Sequence, residues 1–274
     1  MSKAVKIPLI VGAIMIGVGI IIVLAVGFSS GWNYKAANWE EKVYQCEESN
    51  NINELDIDFP AGALKVEFYD GEKIKVEYSE SEQITTEFKV TDGKLKISSI
   101  VHWHVQFLWF NKIPETRIYI PQNMILGLNM DIDAGTVKVG DGAFANIYIK
   151  MSAGTLDMNN VLCNSFDLNM SAGTLKISQI QCGTFKSDLS AGKLSVDSLN
   201  CGDIDVDISA GNVTLNVAGN KSDYTIRTNV SAGKCNVSNQ SGGDKKLTVD
   251  VSAGKVTVNF DPLLPSPMVS GMGH

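Results

Sequence analysis

The sequence predicts an all-β protein built mainly as a parallel β-solenoid, with a β-rich cap at its start and one transmembrane helix ahead of the cap. Three observations carry this. An Ala-Gly pair recurs with its glycine at Gly62, Gly135, Gly154, Gly173, Gly192, Gly211, Gly233 and Gly254, and the steps from Gly135 to Gly211 are each 19 residues, followed by 22 and 21. Apolar and polar residues alternate with period two on both sides of these glycines, the pattern of short half-buried strands. Residues 7–28 form an almost unbroken apolar run of 22 residues without a charge.

Composition bounds the function. The chain has 274 residues, 44% apolar and 19% charged, with a net charge of -7. That excludes wholesale disorder and leaves room for one large or two small domains. A pI near 5.0 and no run of lysine and arginine remove the cationic footprint that phosphate binding requires, so nucleic acid is excluded as a partner. Five cysteines cannot all pair within one chain, and no CxxC spacing points to zinc or redox chemistry.

In chain order, residues 1–35 come first. At 1.5 Å per residue the apolar run gives about 33 Å of helix, enough to cross a hydrocarbon core of roughly 30 Å. A cleaved signal peptide is the rival reading, since Lys3 and Lys6 precede the run and Ala25-Val26-Gly27 offers small residues. The run exceeds the usual 7 to 15 residue h-region, which favours an anchor. A buried core helix would need a partner bundle that the chain lacks. Lys3 and Lys6 bias the amino terminus inward, and Trp32, Tyr34 and Trp39 suit the headgroup depth. Ala13 and Gly17 make a small-xxx-small pair. The expected location is therefore a cell membrane, single-pass, with the carboxy-terminal domain extracytoplasmic.

Residues 36–51 read as a juxtamembrane linker and 52–127 as a β-rich first part that caps the solenoid. It holds a degenerate Ala-Gly corner in LDIDFPAGALKV (55–66), alternating strands over 73–78, 84–90 and 94–97, and hairpin turns at Asp70-Gly71 and Asp92-Gly93. The repeat solenoid follows over 128–260, and the proline-containing tail 261–274 leaves the pattern.

Alignment of the copies shows what the period means. Val137, Leu156, Leu175, Leu194, Val213, Cys235 and Val256 stand two residues after the glycine; Val139, Met158, Ile177, Val196, Leu215, Val237 and Val258 stand four after. Two more apolar ladders precede it, one from Ile132 to Val251 at minus three and one from Leu128 to Leu247 at minus seven. The pattern predicts two strands per coil and about seven coils of 19 to 22 residues. A unit of that size cannot bury its apolar face alone, so each coil stacks on the next in the chain, about 4.8 Å away. The structural corner glycines, Gly135, Gly154, Gly173, Gly192, Gly211, Gly233 and Gly254, fit a sharp turn where positive φ or close backbone approach would penalise a Cβ.

The arrangement resembles the bacterial putative adhesin family, a domain-of-unknown-function family that includes LiaG-like envelope proteins. LDIDFPAGALKV with DGEKIKVEY, the Ile-Tyr-Ile-Pro of 118–121 and the Ala-Gly coils from Ala134 to Gly254 carry the resemblance, over about residues 50–260. It implies an extracytoplasmic β-solenoid tethered to the membrane, without an assigned activity.

Candidate sites are few. Cys163, Cys182 and Cys201 each follow their glycine by nine residues and form a ladder; a soft-metal or redox role is weighed against stacked small apolar residues, which explain it with less. Cys46 lies outside the coils. His102 and His104 share a strand face, but two ligands are too few for a metal site. Trp103, Phe107, Trp109 and Phe110 either pack under the cap or form an apolar contact surface. Asp131 with Asp133 and Asp205 with Asp207 read as solvated strand faces, with no acidic cluster persisting over adjacent coils. Thr136, Thr155 and Thr174 stack until Lys193 ends the row. No catalytic, cofactor or metal residue is assigned. The expectation is a non-enzymatic envelope module acting in binding, adhesion or as a stress scaffold. Its partners are the membrane with cell-wall polymer or another envelope protein. A carbohydrate-active enzyme on a β-helix and a self-polymerising bactofilin-like scaffold are the alternatives.

Overall fold

The computed structural model describes residues 38–82, 84–102 and 113–265. The predicted anchor over 7–28 lies outside them. Among the described residues no helix is long and apolar enough to cross a membrane.

Alternation does produce stacked parallel strands. In the coil of Gly173, Thr174–Leu189 pairs in parallel with Lys193–Ile208, joining Leu175 to Leu194, Ile177 to Val196, Phe185 to Ile204 and Leu189 to Ile208. All eight of these side chains are buried. Each coil of the regular stretch has three sides where the sequence predicts two. The register skips Ser178 and Gly183, and at each skip two successive residues face outward, Ser178 with Gln179 and Gly183 with Thr184. Alternation resumes after each slip with the opposite parity, which is how a strand rounds a bend without exposing its apolar set. The sides are residues 174–177, 179–182 and 184–189. The period-two count misses the middle side because its inward residues, Ile180 and Cys182, stand off the four aligned apolar ladders.

The Ser-Ala-Gly corner is the sharpest bend. Gly154 has φ 117°, and a Cβ there would lie 2.3 Å from the carbonyl oxygen of Gly135. Both the backbone conformation and the stacking therefore demand glycine. The same contact repeats up the column. Gly233 is the exception, without the left-handed φ of its counterparts, although a Cβ would still lie 2.4 Å from Val251 Cγ1.

Stacking order departs from chain order at both ends. The corner column runs Gly62, Gly135, Gly154, Gly173, Gly192, Gly211, Gly254, Gly233, so the last coil in sequence is the penultimate one in space. Lys245–Val251 inserts between Lys193–Ile208 and Tyr224–Val230, and Lys255–Asp261 between Asn212–Ala218 and Lys234–Cys235. At the other end Glu54–Phe59 lies between Lys94–Val101 and Leu126–Ile132. Ala63–Tyr69 likewise lies between Glu115–Pro121 and Thr136–Val139. Gly62 is therefore a full member of the column. Because Val230 belongs to the outermost coil, it is 40% exposed, whereas its counterparts in the minus-three ladder are buried.

Antiparallel strands blunt the amino-terminal edge. Ile84–Thr91 pairs with Lys94–Val101 through the Asp92-Gly93 turn, where φ is 52° and 76°. Lys75–Glu80 pairs with both Glu115–Pro121 and Glu40–Gln45. Asp70-Gly71 is not a hairpin turn, since the strands it joins both pair with Glu115–Pro121 and not with each other. At the far edge Gln240 bridges Ile226 and the Asn239 carbonyl side-chain oxygen accepts from the Thr228 amide. Polar closure of this kind removes a template for strand addition.

Candidate functional site

A groove of about 530 Å3 opens where the middle side turns back toward the next coil. It is lined by Ile125, Phe144, Leu162, Cys163, Asn164, Gln181 and Cys182. Ala143, Ala145 and Gly183 line it too, and their small size leaves the space that bulkier side chains would fill. The lining holds no carboxylate, imidazole or ammonium group. Its chemistry is amide hydrogen bonding beside apolar contact.

The middle side extends this character. Asn160 stacks on Gln179 and Gln179 on Ser198; Leu162 stacks on Gln181 and Gln181 on Asn200. The tail crosses the same side, where the Ser198 hydroxyl donates to the Pro265 carbonyl at 2.7 Å.

Beneath the groove the thiol ladder turns inward. Cys182 and Cys201 are buried, their sulfurs 3.3 Å apart, and Cys201 Sγ lies 3.1 Å from the Asp203 carbonyl oxygen. Hydrogen bonding to Cys163 and Cys201, then burial, pushes the Cys182 thiol far above its ordinary pKa. A thiol held protonated is a poor nucleophile and a poor soft-metal ligand, which fits a packing role. The wholly buried Tyr224 closes the ladder, its hydroxyl donating to the Cys201 carbonyl at 2.7 Å. Cys46 is also fully buried. It packs in the core below the Lys75–Glu80 edge, with its amide donating to the Ile74 carbonyl.

The acidic residues correct the sequence reading. In chain order the coil after Asp207 contributes Asn229, so no acidic column is expected. In space Asp188 stands against Asp207 and Asp207 against Asp250. Burial, then the charges of Asp188, Asp250 and Asp205, raises the Asp207 pKa. Asp131 instead forms an ion pair with Lys150 at 2.7 Å, and Asp133 accepts a 3.4 Å hydrogen bond from Ser152. Among the described residues no group of three or more His, Cys, Asp or Glu side chains could hold a metal ion. His102 Nε2 contacts Thr85 Oγ1 at 2.9 Å. His104, Trp103, Phe107, Trp109 and Phe110 lie outside the described residues.

Sequence reasoning missed the groove entirely. Its only signal was the pair of small residues Gly142 and Ala143 at offsets where the next three coils carry Val161, Ile180 and Leu199, and Leu162, Gln181 and Asn200.

Stacked three-sided coils, a glycine column and a charge-free groove define an all-β repeat protein of the β-solenoid type. The chain belongs to the Toastrack DUF4097 family, whose profile matches residues 52–264. Among solved structures, it is similar to a putative cell adhesion protein from Clostridium sporogenes, at 14% identity over 82% of this chain and 100% of that one, with a TM-score of 0.36. A putative adhesin from Bacteroides fragilis is 10% identical over 81% of this chain and 97% of its own, with a TM-score of 0.45. One from Parabacteroides distasonis is 13% identical over 82% and 97%, with a TM-score of 0.33. No curated protein matches the chain.

Proposed function

We propose that the chain is a non-enzymatic binding module of the bacterial envelope. Residues 7–28 anchor it in the membrane, residues 36–274 lie outside the cytoplasm, and the groove receives an uncharged stretch of cell-wall polymer. The observation that carries this reading is the groove's lining. Asn164 and Gln181 offer amide donors and acceptors to hydroxyl groups, while Leu162, Ile125 and Phe144 offer apolar surface, the combination found in small-molecule sites that bind by shape and a few oriented polar groups. Acid-base catalysis needs titratable groups converging within hydrogen-bond reach of a substrate, and the lining supplies only thiols of which one is held protonated.

The anchor rests on the length of the uncharged span. The full chain expressed in its own cell type should sediment with membranes, and its solenoid should be digested when protease is added to intact protoplasts. Protection before lysis would refute the outward orientation. Release of a soluble form beginning near Phe28 would replace the anchor by a cleaved leader. For the groove, Leu162→Trp should fill the space and abolish co-sedimentation with purified cell wall while leaving unfolding unchanged. Undiminished wall binding would place the contact elsewhere.

A further inference from the structure

The folded coils separate charges that are mixed along the chain. The side before each Ser-Ala-Gly corner carries Asp188, Asp205, Asp207 and Asp250 facing outward in the carboxy-terminal coils. The side after the same corner carries Lys193, Lys255 and Lys234, with Asn212 between the first two. Lys186, Lys246 and Arg227 interrupt the first side, and exposed Asp197, paired with Lys176 at 3.3 Å, marks the far end of the second, whose other outward positions in these coils carry no acidic residue. Neither the four aspartates nor the three lysines lie within ion-pair distance of an opposite charge among the described residues. At 4.8 Å per coil the acidic column from Asp188 to Asp250 spans about 10 Å and the lysines about 14 Å, at the same height on the stack. Between them runs an edge made only of serine, alanine and glycine, with the serines and alanines of these coils exposed. Nothing longer than a serine side chain holds an approaching surface away.

We propose that two copies of this chain associate side by side along this edge, parallel, about a twofold axis that runs along the stack. That operation places the acidic side of each copy against the basic side of the other at matching height. A twofold axis across the stack would set like charge against like. The contact is therefore isologous and closed. Because its attraction comes from exposed charges with no large apolar group between them, it is a weak association that salt dissolves. It does not depend on what the groove binds.

Sedimentation equilibrium of the full-length chain in a non-ionic detergent tests this. The wild type should dimerise at low ionic strength and lose at least about tenfold in self-affinity on going from about 0.05 M to 0.5 M salt, as the Debye length contracts. Asp205→Lys with Asp207→Lys, and separately Lys193→Glu with Lys255→Glu, should each yield monomers, and their equimolar mixture should recover a heterodimer. If either reversal fails to fold by circular dichroism, neutral Asp188→Asn with Asp207→Asn should still weaken the wild-type association. A chain that stays monomeric at low salt overturns the proposal. So does a dimer that ignores every charge variant, which would be held by another segment. Open-ended growth would replace the twofold contact by a head-to-tail one.

Discussion

The coils from Gly135 to Gly211 and the segment from Asn212 to Asp261 carry the same apolar ladders, yet they assemble by different rules. In the first stretch every coil lies on its predecessor, and residue i pairs with i+19. In the second the chain skips a place, makes the outermost coil first, and returns to fill the gap. The ladders alone cannot distinguish these orders, because each coil presents the same inward pattern to either neighbour. The choice falls to residues that occur once. The register slips at Asn212–Ala218, where Asp197 and Ser198 oppose the single Asn216. Asn220 and Asp223 then close a capping box around a short 3-10 turn, and Tyr224 enters the core in place of another small thiol. A Cβ on Gly243 would lie 2.3 Å from the Tyr224 amide nitrogen, so the return path also needs its glycine.

The largest effect should come from removing the inserted coil. A chain ending at residue 244 leaves Tyr224–Val230 and Lys234–Cys235 without their parallel partners, and hydrogen exchange should show their amides losing protection while those of 165–189 keep it. If 224–230 stayed protected, the outermost coil would be able to stack directly on its chain neighbour, and the order would be less strictly specified than the contacts imply.

Point changes should then separate middle from end. Gly154→Ala forces a Cβ against the Gly135 carbonyl at a positive φ, and strain plus overpacking should cost roughly 3 kcal/mol or more by denaturant unfolding. Leu175→Ala, fully buried, should cost roughly 2 to 5 kcal/mol. Val230→Ala, in the minus-three ladder but 40% exposed in the outer coil, should cost about 1 kcal/mol or less. Equal costs for Leu175 and Val230 would erase the distinction between the two regions.

A smaller effect, of opposite sign, is expected inside the regular stretch. Ser187 points into the core with its hydroxyl buried and unpartnered, at a position where the stacked neighbours are Leu168 and Val206. Ser187→Ala should stabilise by about 1 kcal/mol, since it removes a desolvated hydroxyl without a hydrogen bond. The smallest effect concerns the acidic column that the reordered coil completes with Asp250. The Asp207 pKa is raised in the fold, so folding favours its protonated form. Its contribution is neutral at low pH and turns unfavourable as pH rises through the ordinary carboxylate range toward the raised value. Asp207→Asn should therefore melt slightly higher than wild type at neutral pH, and the difference should vanish in acid. A difference that persisted in acid would come from some cause other than charge.

The fold was legible where the chain repeats itself. Period and parity identified the corner column, the inward positions and the parallel stacking, because these follow from local burial and are restated in each copy. The third side was illegible: two outward residues at Ser178 and Gln179 read as a lapse in alternation, not as a bend. Spatial order was illegible for a deeper reason, since adjacency along the stack is a long-range property and the pattern has no label for position. The groove and the acidic column both inherit that difficulty. Asp188 and Asp207 stack at the regular 19-residue step, but Asp250 joins them only through the return of the chain, and the groove is a deficit of side-chain volume at Ala143, which no motif marks.

The buried placement of the last coil also governs how the molecule bears load. A pull on the chain beyond residue 261 first meets the single hydrogen bond of Ser198 to Pro265 and then Lys255–Asp261, which is zipped to Asn212–Ala218 on one side and to Lys234–Cys235 on the other. A pull toward the amino terminus meets Glu40–Gln45, zipped to Lys75–Glu80 alone. Traction between the two ends should accordingly peel the amino-terminal ribbon first and leave the coils at the far end intact.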